Sequence, residues 1–331
     1  MYKKLYFINN NCTNPFFNLA LEEYMLCSKI NRSFLLLWQS NNTVVIGCNQ
    51  NAWEEINPEF TTKNNITVVR RITGGGAVYH DLGNLNFSFI TDMNESSSFT
   101  INDFTRPVIA ALSDMGVNAE ANGRNDIIAD GRKISGNAQR IHKKRILHHG
   151  TLLFNSDISR LSGALRVRPE KFISKSTSSV EGRVANIIDL LDKPMTMDEF
   201  KNSLLASFAK STELEEYKLT KEDIYAVNEL VRTKYSVPEY TFSAVQPMDI
   251  NAVKKFDGGF LEVKLKVEKN IVTKCKIYGD FMARTDNDEL EKAVTGSEFS
   301  PEGIRNAISK MPLEDILGNI TADEFTECIF S

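Results

Sequence analysis

The chain has 331 residues, 42% hydrophobic and 25% charged, with a net charge of −4. That length allows two domains with a substantial core, and the near balance of charge leaves no footprint for nucleic acid as the main partner. Five scattered cysteines never spaced as CxxC exclude a zinc site and point to free thiols, and no apolar run approaches a membrane span or a signal peptide, so a cytoplasmic protein without membrane contact is expected.

The opening KLYFIN alternates as a strand does. NPFFNLALEEYMLCSKI then predicts a helix, with Asn14 as N-cap, Pro15 at the first helical position and apolar residues at helical spacing. FLLLWQ and TVVIG are two β-like runs separated by Ser40, Asn41 and Asn42, which predicts a hairpin. ITVVRRI leads as a strand into a glycine run, and NLNFSFI leaves it. Residues 101–115 predict a helix ending near Gly116. DIIADGRKISGNAQR reads as a hairpin around Asp130-Gly131, and HHGTLLFN as a further strand. Helices fill 157–236, broken by the polar KSTSSVEGR.

A second unit begins near Gln246-Pro247. GGFLEVKLKVEKNIVTKCKIYGDF is a hairpin by alternation, turning at Glu268-Lys269-Asn270, and amphipathic helices follow at 287–294, 301–311 and 321–329. The sum is α+β: a large domain, 1–246, with a mixed sheet flanked by helices, and a small α/β accessory domain, 247–331. Charge divides unevenly, with net −5 over 249–331 and +1 over 1–248; GRKISGNAQRIHKKR (131–145) holds six Lys/Arg and no acid. That stretch is either a solvated loop or a surface for an anionic ligand or acidic partner.

RRITGGGAVYHDLGN (70–84) carries the chemistry. Three consecutive glycines cost backbone entropy. They serve either a bulge that bends the sheet or a ligand that approaches the backbone amides. Arg70 and Arg71 alternate in direction along a strand, so one of them faces such a cavity, where a guanidinium beside amide donors suits phosphate. Neither GxxxxGK[ST] nor GxGxxG occurs. Lys133, in GRKISGNAQR beside Ser135-Gly136, is either a surface lysine or a cation that stabilises charge developing as a carboxylate joins a phosphate.

Taken in order, RRITGGGAVYHDLGN, GRND, GRKISGNAQR and HHGTLLFN resemble the lipoate–protein ligase family, as do FNLALEEY, LWQSNNTVVIGCNQN and SKSTSSVEGRVANI. The resemblance implies an enzyme that uses ATP to convert lipoate to lipoyl-AMP. It then passes the lipoyl group to a lysine of an acceptor protein, a glycine-cleavage H protein or a lipoyl domain of a 2-oxoacid dehydrogenase acyltransferase subunit. It implies ATP contacts from Arg71, Gly75, Gly76, Ala77, Val78, Tyr79 and Lys133. Lys133 is the implied catalytic residue and lipoate contact, with Arg70 and His149 also toward lipoate. Asn84, Asp126 and Gly150 are further pocket candidates. Mg²⁺ is implied with the nucleotide, but no protein metal ligands. An apolar slot for the dithiolane tail is expected between the Phe16–Leu21 helix and the Val44–Ile46 strand. Arg140, Lys143, Lys144 and Arg145 are expected to meet either the acidic accessory domain or an acidic acceptor. The chain departs from the family at KYSVPEYTF (234–242), where a tryptophan-rich motif is usual. The alternative is an ATP-independent lipoyl or octanoyl transferase acting through a cysteine, with Cys48 the candidate.

Overall fold

A computed structural model describes residues 3–30, 32–93, 99–123, 125–166, 180–242 and 248–331. The strands in chain order are β1 (Lys4–Asn9), β2 (Phe34–Trp38), β3 (Thr43–Ile46), β4 (Thr67–Arg70), β5 (Val78–His80), β6 (Asn84–Asp92) and β7 (Ala119–Asn122). They continue as β8 (Asp126–Ala129), β9 (Arg132–His142), β10 (Arg145–Leu153), β11 (Glu213–Glu216), β12 (Ile250–Phe256), β13 (Gly259–Glu268) and β14 (Ile271–Gly279). Eight of them make one mixed sheet in the order β11-β1-β2-β6-β10-β9-β8-β7, parallel at the β11-β1-β2 side and antiparallel elsewhere. A second sheet, β4-β3-β5, lies over one face of it, and β12-β13-β14 form an antiparallel sheet in the C-terminal unit.

The alternation of side chains separates the two faces of the large sheet. Leu85, Phe87 and Phe89 of β6 pack with Phe104, Val108, Phe200 and Leu204 from helices Ile101–Asp114 and Met197–Ala209. Ile90 and Leu147 face the other way, toward helix Pro15–Cys27 and the small sheet. That helix begins as its sequence predicts: the Asn14 side chain accepts from the Phe16 and Phe17 amides and Pro15 occupies the first turn, a cap worth about 1 kcal/mol. The C-terminal unit has its own core, in which Leu261, Val263 and Ile277 meet Leu290, Ile304 and Phe325. No helix among the described residues is long and apolar enough to cross a membrane.

One expected pairing is corrected. The runs FLLLWQ and TVVIG do not form a hairpin: β2 pairs with β1 and β6, while β3 pairs with β4 and β5. Asn42, at φ 49°, turns the chain from one sheet to the other, and its amide is tied to the Asn64 and Asn65 carbonyls at 2.9 Å. The Asp130-Gly131 turn has both residues at positive φ (49° and 70°), and so does Lys269-Asn270, as tight hairpins require. The KSTSS part of the polar break and the Gln246-Pro247 junction lie outside the described residues.

Candidate active site

A cavity opens between the small sheet and strands β9 and β10, with a volume of about 120 Å³. Its walls include Arg71, Gly75, Gly76, Ala77 and Val78 from the glycine run, Lys133 and Gly136 from β9, and His149 and Gly150 from β10. Leu19 of the first helix and Val45 of β3 supply apolar wall beside Trp38.

Arg71 is buried, and four of its five N–H groups hold protein oxygens. Nε donates to Thr73 Oγ1 (3.0 Å), Nη1 to the Val45 carbonyl (3.1 Å), and Nη2 to the carbonyls of Gly74 (2.7 Å) and Gly76 (2.8 Å). Burial pushes its guanidinium down to about 10, so it stays cationic near neutral pH. The expected phosphate ligand is thus first a brace for the glycine loop, with one N–H left over. The brace continues inward. Thr73 Oγ1 lies 2.8 Å from His149 Nε2, and His149 Nδ1 lies 3.0 Å from Glu22 Oε1. Because Thr73 accepts from Arg71, its own proton goes to His149 Nε2, which leaves His149 donating from Nδ1 to the Glu22 carboxylate. Glu22, only 1% exposed, also accepts from Ser88 Oγ at 2.5 Å, and Ser88 Oγ accepts from Trp38 Nε1 at 2.9 Å.

The three glycines have three different uses. A β-carbon on Gly74 would sit 2.7 Å from the Ala283 nitrogen and Phe281 oxygen of the C-terminal unit. Gly75 has φ 88° and donates its N–H to the Phe281 carbonyl at 3.1 Å. Gly76 alone has nothing within 4 Å of a would-be β-carbon, so a ligand can approach there.

Lys133 reaches the cavity through an irregularity. β8 and β9 shift register between Ile127 and Ile128, with Ile127 opposite Ser135 and Ile128 opposite Lys133. The extra residue, Ile134, goes to the core on the far face, and Lys133 is returned to the cavity face that Gly136 and Ala138 occupy. Its Nζ rests 2.7 Å from Asp126 Oδ1.

Several expected site residues lie elsewhere. Arg70 points away from the cavity, as strand alternation beside Arg71 demands, and holds the carbonyls of Gly47, Cys48, Gln50, Tyr240 and Thr241 at 2.6–3.0 Å. Its expected role toward lipoate is corrected: it ties the KYSVPEYTF segment to the β3 loop. The Tyr79 side chain leaves the cavity to donate to Asn42 Oδ1 at 2.9 Å, and the Asn84 amide turns to Asn86 at 3.1 Å. Gly150 faces backward, where a β-carbon would collide with Phe87 and Asn137, so only its backbone borders the cavity. Arg145 is buried, donating to the Ile30 and Arg32 carbonyls and pairing with Asp92 at 3.2 Å, and so is not part of a docking cluster. Arg140 instead pairs with Asp286 of the C-terminal unit.

Sequence reading missed Glu22, Thr73, Trp38, His80 and Asn125. Glu22 had a visible signal, since it stands at helical spacing between Leu19 and Leu26 on the apolar face. His80 is buried against Trp38 (ring centroids 6.0 Å), and burial pushes its pKa down to about 3, so it is neutral.

Residues 14–209 match the family described as lipoyl protein ligase A/B catalytic domain, and residues 246–329 match the bacterial lipoate protein ligase C-terminus. Lipoate-protein ligase LplJ of Bacillus subtilis is 41% identical over 332 residues, covering 98% of this chain and all of that protein. The lipoate-bound LipL1 of P. falciparum superposes with a TM-score of 0.76 at 25% identity, covering 93% of this chain and 94% of that one. A lipoate-protein ligase A bound with ATP gives 0.62 at 30% identity, covering 74% and 100%.

Proposed function

The chain belongs to the lipoate–protein ligase family, and from that premise we propose which of its residues carry out the two steps of the ATP-dependent reaction. It activates lipoate with ATP and transfers the lipoyl group to acceptor proteins. In the first step a lipoate carboxylate oxygen attacks the α-phosphorus of ATP and pyrophosphate leaves. In the second, a lysine amine of the acceptor attacks the acyl carbon, AMP leaves and the amine loses a proton.

Joining two anions is the electrostatic difficulty, and the cavity answers it with fixed charge and dipoles. Lys133 is the catalytic residue: its ammonium, held by Asp126, draws the carboxylate toward the phosphate and steadies charge on both. Arg71 holds the Gly74 and Gly76 carbonyls inward, which turns the amides of Gly76, Ala77 and Val78 toward the nucleotide, and its spare N–H meets a phosphate oxygen. Leu19, Trp38, Val45 and Val78 take the apolar tail, and His149 closes the lipoate end. The single observation that carries this reading is the bulge in β9 that brings Lys133 onto the face opposite the glycine loop.

Mg²⁺ fits as a companion of the nucleotide. No group of three or more His, Cys, Asp or Glu among the described residues is arranged to hold a metal. An ion that brings its own waters and binds mainly through the nucleotide's phosphates needs no cage of protein ligands, and Asp126 stays with Lys133. Bound to the phosphates, the ion would neutralise their charge. The acceptors proposed are the glycine-cleavage H protein and the lipoyl domains of 2-oxoacid dehydrogenases, in the cytoplasm, with residues 1–246 as catalytic domain and 247–331 as accessory domain.

The thiol route lacks support: Cys48 does not line the cavity, and burial pushes its thiol pKa up, away from a thiolate. The test is to mix the purified protein with lipoate, MgATP and each apo-acceptor and to read the acceptor's mass. Lipoylation that needs ATP and survives Cys48→Ala is expected; lipoyl transfer without ATP that is lost in Cys48→Ala would overturn the reading.

A further inference from the structure

The cavity faces one side of the large sheet, and a buried polar chain on the other side reaches its edge. His149 faces the cavity, so its neighbour His148 faces the helices. There the His148 ring stacks on Phe104 at 4.7 Å with planes 9° apart, and on Phe87 at 5.9 Å. His148 is 0% exposed, and nothing in the two reaction steps uses it. Gln139 Nε2 donates to its Nδ1 at 3.2 Å, so the ring proton stands on Nε2 and is donated to Asn137 Oδ1 at 3.2 Å. That bond decides how the Asn137 amide is turned. With the oxygen held, Nδ2 meets the Asn125 carbonyl at 3.0 Å and Ser135 Oγ at 3.2 Å. Asn125 returns a bond from its own Nδ2 to the Asn137 carbonyl at 2.9 Å, and the Asn137 N–H donates to the Asn125 carbonyl at 2.9 Å. The next residue is Asp126, the partner of Lys133.

This clamp sits where the ladder is weakest. β7 and β8 are four-residue strands at the end of the sheet, and the β8–β9 register breaks at the bulge one residue beyond Asp126. The ladder registers Asp126 with Asn122 and Gly136, and the Asn137 side chain adds a hold on the residue just before it. We propose that His148 and Asn137 are positioning residues for Lys133. His148, sealed between aromatic rings, orients Asn137, whose amide clamps Asn125 and thereby aims Asp126 at the lysine. The inference rests on Lys133 as the activating residue and extends it to His148, which lies outside the cavity, and to Asn137, which borders it and acts through Asn125 and Asp126.

The test is pyrophosphate release by the full-length protein with lipoate and MgATP, for Asn137→Ala, His148→Phe, Asp126→Ala and the Asn137→Ala/Asp126→Ala pair. His148→Phe keeps the ring stack. Because small displacements of a positioned group cost up to about 100-fold in rate, kcat is expected to fall about tenfold in each of the two positioning variants, with the KM for lipoate within about twofold. The pair should be no slower than Asp126→Ala alone, since Asn137 acts through Asp126. Wild-type kcat in Asn137→Ala, or losses that multiply in the pair, overturn the proposal; if His148→Phe does not fold, Asn137→Ala and the pair decide. Lys133→Met in the same assay separates the two readings. Full adenylation there sinks the role of Lys133 itself, whereas an inert Lys133→Met beside a fully active Asn137→Ala sinks only the positioning.

Discussion

Lys133 lies across Gly136: a β-carbon on that glycine would stand 2.9 Å from Nζ and 3.0 Å from Cε. Those atoms are the mobile end of a flexible chain, so Gly136→Ala moves the lysine without breaking the strand. The variant should melt as the parent does and lose about tenfold or more in adenylation, on the scale of a misplaced reacting group. Lys133→Met should abolish pyrophosphate release with a nearly unchanged melting temperature, because a half-exposed lysine adds little to stability. Normal pyrophosphate release in either variant would remove Lys133 from the chemistry.

Gly75 and Gly76 are adjacent yet should fail differently. Gly75 has φ 88°, and a side chain there would press on Arg71 Nη2 at 3.1 Å and Met282 Sδ at 3.2 Å, so Gly75→Val should destabilise the fold by about 1–3 kcal/mol. Gly76 borders open space. Gly76→Ala should therefore fold normally and raise the KM for ATP. Urea unfolding separates the two, and equal stability of both variants would mean that the loop relaxes freely.

What was legible in the sequence was local. Asn14-Pro15 marked a helix start, Asp130-Gly131 a hairpin, and the alternation of Arg70 and Arg71 told that only one enters a cavity. What was hidden depended on tertiary partners. The Ser40–Asn42 turn looks like a hairpin connection because turn chemistry reports a change of direction, while the choice of sheet is made by distant β6 and β5. The glycine run read as one device, either a bulge or a ligand site, but Gly74 is small for the sake of Phe281 and Ala283, more than 200 residues away. The basic 131–145 stretch read as one surface, but Arg145 is inside, Arg140 meets the C-terminal unit, and Lys143-Lys144 form the tip of the β9–β10 hairpin. Lys133 was found by its motif, yet nothing in GRKISGNAQR announces the bulge that faces it inward.

His80 sets a pH dependence of stability. Its folded pKa, about 3, lies below the ordinary 6.5, so between those values the unfolded chain binds a proton that the folded protein refuses. Stability present above pH 6.5 is therefore lost as pH falls toward 3, at up to about 1.4 kcal/mol per pH unit from this group. His148, also lowered by burial, adds in the same direction. His80→Phe should flatten the dependence of the urea midpoint between pH 6 and 5, where carboxylates barely titrate. An unchanged slope would show that His80 takes up its proton in the folded state.

The C-terminal unit touches the glycine loop through residues 279–284. Gly279 donates to the Asn49 carbonyl at 2.8 Å, Phe281 accepts from Gly75, and Arg284 accepts from Ile141 at 2.9 Å. Lys264 adds an ion pair to Glu54 at 3.2 Å. A two-step enzyme must shield a reactive adenylate from water and then open it to a protein amine, and a unit docked on the loop proposed to wrap the nucleotide suits the first need. Gly74→Val tests this directly. Its side chain would meet backbone atoms of Phe281 and Ala283, which cannot swing aside, so the strap must lift and leave Gly75 unbraced. Adenylation should then fall more than transfer from pre-made lipoyl-adenylate, and deletion of 247–331 should show the same imbalance. Adenylation at the full rate in both proteins would mean that the docked unit does not prepare the loop, and that its contacts serve only to hold the two cores together.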